Sequence, residues 1–144
     1  LEVNTAQRQM VIQKLQEKLF ILKGRTIGLL GLAFKPDTDD LRDAPSLEIA
    51  ERLLHMGARV KVYDPVAMEA CRQQHPELKL RYCESAREVA TDADALVVVT
   101  EWQEFRQLDL AALADRMATP ILVDGRNIFQ PDEAIAACRM SIPS

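Results

Sequence analysis

This chain has few of the residues from which self-contained catalytic centres are usually built. It holds two histidines, His55 and His75, and three cysteines, Cys71, Cys83 and Cys138. Neither histidine has a partner at metal-ligand spacing. The cysteines form no C-x-x-C pair, and an odd, widely spaced set suits neither a disulfide framework nor a zinc site. They read as reduced, mostly buried thiols of a cytoplasmic protein. No serine or cysteine sits in a strand-to-helix elbow, and neither histidine has an acid partner visible in the sequence. The chain is expected to do no chemistry by itself.

A positive excess is also missing. The net charge is −4, which argues against a general nucleic-acid binder, because such a protein needs a basic face to neutralise phosphates. A small basic pocket for one phosphorylated ligand stays compatible with that balance. No apolar run approaches the length that spans a membrane, and no signal peptide opens the chain. Internal repeats and low-complexity linkers are absent too. What remains is 144 residues, nearly half of them hydrophobic, enough for one domain with a substantial core.

The pattern of those residues is regular. Val3, Ala6, Met10, Leu15, Leu19 and Leu22 recur at helical spacing through residues 1–23, with Asn4 and Gln7 placed as a cap and Gly24 as the stop. Beyond Gly24, strands alternate with helices. Strands are predicted at Thr26–Leu32, Arg59–Tyr63, Lys79–Tyr82, Ala95–Thr100 and Pro120–Asp124. Helices are predicted at Pro45–Met56, Val66–Gln74, Ser85–Thr91, Leu108–Met117 and Pro131–Cys138, and a further strand would start at Arg139. This alternation gives an α/β fold, a Rossmann-like doubly wound parallel sheet with helices on both faces, preceded by a connecting helix. Met10, Val11, Leu15 and Leu19 of that first helix are expected to form an open apolar face suited to self-association.

Several strand ends carry groups with chemical potential. Gly28-x-x-Gly31-x-Ala33 is a degenerate dinucleotide fingerprint, and Asp64 stands where such folds place a ribose-binding acid. A strand glycine packed on a helix, with Asp64 making a turn before Pro65, accounts for the same residues. Lys35 and Arg42 flank Asp37, Asp39, Asp40 and Asp43. They form either a solvated, self-paired loop or a ligand loop at the carboxyl end of a strand, with Lys as a point charge and Arg as a fork. Arg126, in Asp124-Gly-Arg-Asn127, either joins that crevice or is solvated in a turn. Trp102 reads as a large residue packed on the sheet edge.

The run Gly31-Leu-Ala-Phe-Lys-Pro-Asp-Thr-Asp-Asp-Leu-Arg42 is more specific. With Val62-Tyr-Asp-Pro65, Thr100-Glu-Trp102, Phe105 and Asp124-Gly-Arg-Asn127 in the same order, it resembles the C-terminal UDP-binding domain of the UDP-glucose/GDP-mannose dehydrogenase family. Thr100–Trp102 together with Asp124–Asn127 favours the members that act on UDP-glucose. The alternatives are a member acting on UDP-N-acetylmannosamine or GDP-mannose, and a non-catalytic nucleotide-binding module. The resemblance implies oxidation of UDP-glucose to UDP-glucuronate with two NAD reduced, NAD being bound mainly by an N-terminal domain that also carries the catalytic thiol. It implies that residues 1–23 are the end of a central connecting helix and 24–144 the UDP-binding domain of a larger, homodimeric enzyme. By position, Phe34, Lys35 and Arg126 resemble residues that contact the nucleotide sugar, and Arg42 one that reaches NAD. Gly28 and Gly31 are then structural, and this piece alone is expected to be inactive.

Overall fold

The computed structural model describes residues 2–33 and 35–124, with side chains from residue 9 onward. Helix and strand alternate as the periodicity predicts: α1 (Glu2–Leu19), β1 (Thr26–Leu30), α2 (Pro45–His55), β2 (Arg59–Tyr63), α3 (Met68–Gln74), β3 (Arg81–Tyr82), α4 (Ala86–Ala90), β4 (Ala95–Val98), α5 (Gln103–Arg106), α6 (Leu110–Arg116) and β5 (Leu122–Asp124). The short α5 has no counterpart in the sequence reading, because four residues carry no measurable periodicity. The helix and strand expected after Pro131, and Cys138, lie outside the described residues.

The five strands form one sheet in the order β3-β2-β1-β4-β5, with every neighbouring pair parallel. Side chains alternate between its faces. Ile27, Leu29, Val60, Val62, Ala95, Val97 and Val123 point to a core shared with α1 and α2. Leu30, Leu96, Val98 and Leu122 point to a second core with Val89, Phe105 and Leu113. Both faces are covered, and this is why β4 reads as an unbroken apolar run.

Two residues on the second face show how closely it is packed. A side chain at Gly28 would collide with Val89 and Leu96, so glycine is what lets α4 close on β1. Lys61 is 7 % exposed in the middle of β2. Its Nζ donates to the carbonyls of Glu88 (3.0 Å) and Thr91 (2.7 Å), at the end of α4 where carbonyls lack helical partners. The buried charge is therefore hydrogen-bonded, as burial demands.

The first helix departs from expectation at its start, on its face and at its end. It already runs from Glu2, so Asn4 lies within it and does not cap it. Its apolar face is not open: Val11, Ile12, Leu15 and Leu19 are between 0 and 5 % exposed and belong to the core that covers the first face of the sheet. The β4 and β5 side of that face would otherwise meet water, so the sheet takes the stripe. The helix also ends before Gly24. It stops at Leu19, and Phe20 turns the chain with a positive φ of 64°, its N–H still bonded to the Gln16 carbonyl. Leu22 returns to the core, so the turn is set by packing and not by glycine chemistry.

Leu15→Ala tests this integration. Loss of a fully buried leucine is expected to lower the unfolding free energy by about 2–5 kcal/mol. A single cooperative denaturant transition at a lower midpoint would match; an unchanged midpoint would mean the helix is detached.

Candidate nucleotide-binding crevice

The strand order reverses between β1 and β4. From β1 the chain moves outward to β2 and β3, then returns to β4 on the other side of β1. The loops leaving β1 and β4 therefore diverge and open a crevice at the carboxyl ends, the usual ligand position in such sheets. Lys35 and Arg42 lie on the loop after β1, and Thr100–Trp102 follows β4. Asp124 ends β5 in register with Val98, so the third motif begins at the same end of the sheet. Phe34 and Arg126 lie outside the described residues.

The base of the crevice is a stretch of irregular buried backbone. Gly31 has φ +102°, and a side chain there would run into Thr100, so a close approach and a left-handed conformation both require glycine. Leu32 and Ala33 are fully buried beyond the end of β1. The N–H of Leu32 donates to Asp64 Oδ2 at 2.8 Å, and that of Ala33 to the same oxygen at 3.4 Å. Ser46 Oγ donates to the Leu32 carbonyl, and Thr100 Oγ1 to the Ala33 carbonyl at 2.5 Å. Asp64 Oδ1 accepts from the N–H groups of Val66 and Ala67, both at 2.8 Å.

That network resolves the two readings of Asp64. The carboxylate is 1 % exposed, and both its oxygens serve backbone donors of this chain. It is a structural tie, not an acceptor for ribose hydroxyls. Gly28 and Gly31 are structural as well, and α2 begins only at Pro45, capped by Ala44 with no side-chain bond. The described residues thus do not fit a dinucleotide bound in the fingerprint mode.

The loop beyond is charged and partly self-paired. Asp37 and Asp43 adopt positive φ, 65° and 55°. Arg42 grips the Asp40 carboxylate with Nε (3.0 and 3.2 Å) and Nη2 (2.7 Å), and its backbone N–H adds a fourth contact. These hydrogen bonds hold the Asp40 carboxyl at about 2, below its ordinary 3.8. Lys35 is exposed and makes no ion pair among the described residues. The solvated-pair reading therefore describes Arg42 in the free chain, while Lys35 is left available.

One contact was not legible in the sequence. Tyr63, at the end of β2, donates its hydroxyl to Glu104 at 2.7 Å and packs edge-on against Phe105, centroids 6.1 Å apart. Burial and the Glu104 carboxylate push the phenol up. The contact pins α5 beside the crevice, with half-buried Trp102 packed on the same core. Only the Tyr before Asp64-Pro65 and the Phe after Glu101-Trp102 hinted at it.

Elsewhere the chain offers little chemistry. A groove of about 960 Å³ borders Arg52, His55, Glu77 and Lys79, but it lies at the amino ends of the strands, away from the switch point. His75 does have an acid beside it, Glu77 at 3.3 Å. The pair forms between neighbouring residues at the end of α3, with Glu77 exposed. Cys71 and Cys83 are buried free thiols that burial pushes up, as expected of inert cysteines. No group of three metal-donor residues occurs among the described residues, and no helix among them is long and apolar enough to cross a membrane.

Sheet order and switch point define a Rossmann-like doubly wound domain, with a crevice where such sheets usually bind ligands. A family profile described as "UDP-glucose/GDP-mannose dehydrogenase family, UDP binding domain" matches residues 28–131. The chain belongs to that family. It is 42 % identical over 137 residues to UDP-glucose 6-dehydrogenase YwqF of Bacillus subtilis, covering 95 % of this chain and 31 % of that protein. With UDP-glucose 6-dehydrogenase of Pseudomonas aeruginosa it shares 46 % identity over 134 residues, covering 89 % and 29 %. The UDP-glucose dehydrogenase structure from Pyrobaculum islandicum superimposes with a TM-score of 0.78 at 34 % identity, covering 98 % of this chain and 29 % of that one. The chain spans about 30 % of the length of these relatives.

Arg42→Ala is expected to return the Asp40 titration from about 2 toward 3.8, read by carboxyl-carbon NMR. The folded value lies below the ordinary one, so the pairing is complete above the ordinary value and is lost as pH falls through about 2. An Asp40 titration unmoved by the substitution would show that the pair does not persist in solution.

Proposed function

We propose that this chain is the nucleotide-sugar-binding domain of an NAD-dependent UDP-glucose 6-dehydrogenase. In this reading it clamps the UDP part of UDP-glucose, while an N-terminal domain of the same protein binds NAD and supplies the reacting thiol. The observation that carries it is the coincidence of motif and topology: the family run Gly31–Arg42 forms the loop leaving β1 at the switch point, and Thr100–Trp102 leaves β4 opposite it. Curated relatives that are 42 and 46 % identical act on UDP-glucose by name, which favours that sugar over the N-acetylmannosamine and GDP-mannose members.

Phe34 and Lys35, which follow β1 in the sequence, contact the nucleotide sugar, as does Arg126, two residues past the end of β5. A lysine suits a diphosphate as a point charge, and an arginine can grip it with two parallel donors. Arg42 must leave Asp40 before it can reach NAD, which makes its role one of the assembled enzyme. A clamp on UDP contributes to rate by holding the sugar's C6 in place with binding energy from a part that does not react. Residues 1–23 act as the end of the connecting helix and 24–144 as the UDP-binding domain. Homodimerisation then uses faces of α1 other than the buried Val11, Leu15 and Leu19 stripe. A cytoplasmic enzyme that supplies UDP-glucuronate for polysaccharide synthesis completes the proposal.

Titration calorimetry of the chain with UDP, GDP and NAD tests it. UDP is expected to bind selectively, and Lys35→Ala and Arg126→Ala each to weaken it by about 1.5–3 kcal/mol, the range for a hydrogen bond to a charged group. With UDP-glucose and NAD together, the chain alone is expected to form no NADH. Preference for GDP would move the assignment to a GDP-mannose enzyme. NAD binding with UDP ignored would mean that the crevice serves the wrong ligand.

A further inference from the structure

We infer that Asp64 is a positioning residue for nucleotide binding, and that together with Thr100 it fixes the loop that carries Lys35. This rests on the reading of the crevice as a UDP site and adds to it a determinant that touches no ligand.

All four backbone polar groups of Leu32 and Ala33 are bonded to side chains from other elements. Asp64, just past β2, takes both N–H groups. Ser46, in the first turn of α2, takes one carbonyl, and Thr100, just past β4, takes the other. Neither residue belongs to a strand, and both are 0 % exposed. Buried backbone outside a ladder must find such partners. Here the partners come from three elements that border the crevice, so the path of the chain is fixed at residue 33, two positions before Lys35. The second oxygen of Asp64 holds Val66 and Ala67, so one carboxylate couples the exits of β1 and β2.

Such a base raises affinity by reducing the ordering left to do on binding. Asn at position 64 keeps the shape but replaces one accepting oxygen with an NH₂ that opposes backbone donors. One of the two loops must then come loose. Thr100→Val removes a single donor at nearly constant volume, and Thr100→Ser restores it.

A merely structural role would lower stability and leave affinity alone well below the melting temperature. The discriminating control is Leu53→Ala, a core cavity at the far end of α2, where Leu53 is 0 % exposed. UDP dissociation constants by calorimetry, and amide exchange at residues 31–43 in the ligand-free chain, are measured for wild type and all four variants under native conditions. Asp64→Asn and Thr100→Val are expected to accelerate exchange in that segment and to raise the UDP Kd about tenfold or more. Thr100→Ser is expected to restore both, and Leu53→Ala to leave the Kd within about twofold of wild type. If Asp64→Asn fails to fold, the Thr100 pair carries the test. Unchanged exchange in the folded variants overturns the inference whatever UDP does, and so does equal weakening in Leu53→Ala. A wild-type chain that ignores UDP while Asp64→Asn loosens the loop would overturn the nucleotide reading and leave the tie standing.

Discussion

The crevice depends on one requirement: backbone polar groups that leave a sheet while still buried must be hydrogen-bonded by something else. Leu32 and Ala33 are in that position. A carboxylate is well suited to the task, since its two oxygens accept several N–H bonds at once and are strong acceptors when charged. Asp64 is thereby turned inward. In a dinucleotide-binding sheet, an acid at the end of the second strand faces a ribose; in this chain the same position faces its own backbone.

The two ends of the sheet differ accordingly. At the carboxyl ends, Gly31, Thr100 and Asp64 bring three loop bases together at van der Waals and hydrogen-bonding distance. Tyr63 and Glu104 add α5 to the same rim. The charges of the β1 loop are therefore mounted on a buried, hydrogen-bonded base, as the proposed nucleotide site would require. At the amino ends lies the groove bordered by Arg52, His55, Glu77 and Lys79, away from the switch point. Helix α1 completes the arrangement from a distance. By covering the first face of the sheet it allows β4 and β5 to be apolar on both sides, and β4 supplies one wall of the crevice.

The legibility of the chain follows the range of the forces involved. Periods of two and 3.6 residues reported the strands and the larger helices, because burial on one or two faces writes itself into neighbouring positions. It failed for α5, which is too short to show a period. It also put the end of α1 at Gly24, whereas Leu22 pulled the turn back to Phe20. The apolar stripe of α1 was visible, but not the partner that covers it. Lys35 and Arg42 could be named as loop charges, yet nothing local indicated that Arg42 would pair with Asp40 and Lys35 would not.

The sequence by itself determined the alternation of elements, the parallel sheet, the position of the charged loop after a strand and, through its run of motifs, the family. Those properties are local or are carried by words of adjacent residues. Only the tertiary structure decided what Asp64 does, because its partners are 31 and 32 residues away in the chain, and that Thr100 closes the same network from 67 residues away. Hydrogen-bond partners of a buried carboxylate are chosen by where strand ends meet in space, and no spacing along the chain encodes that choice.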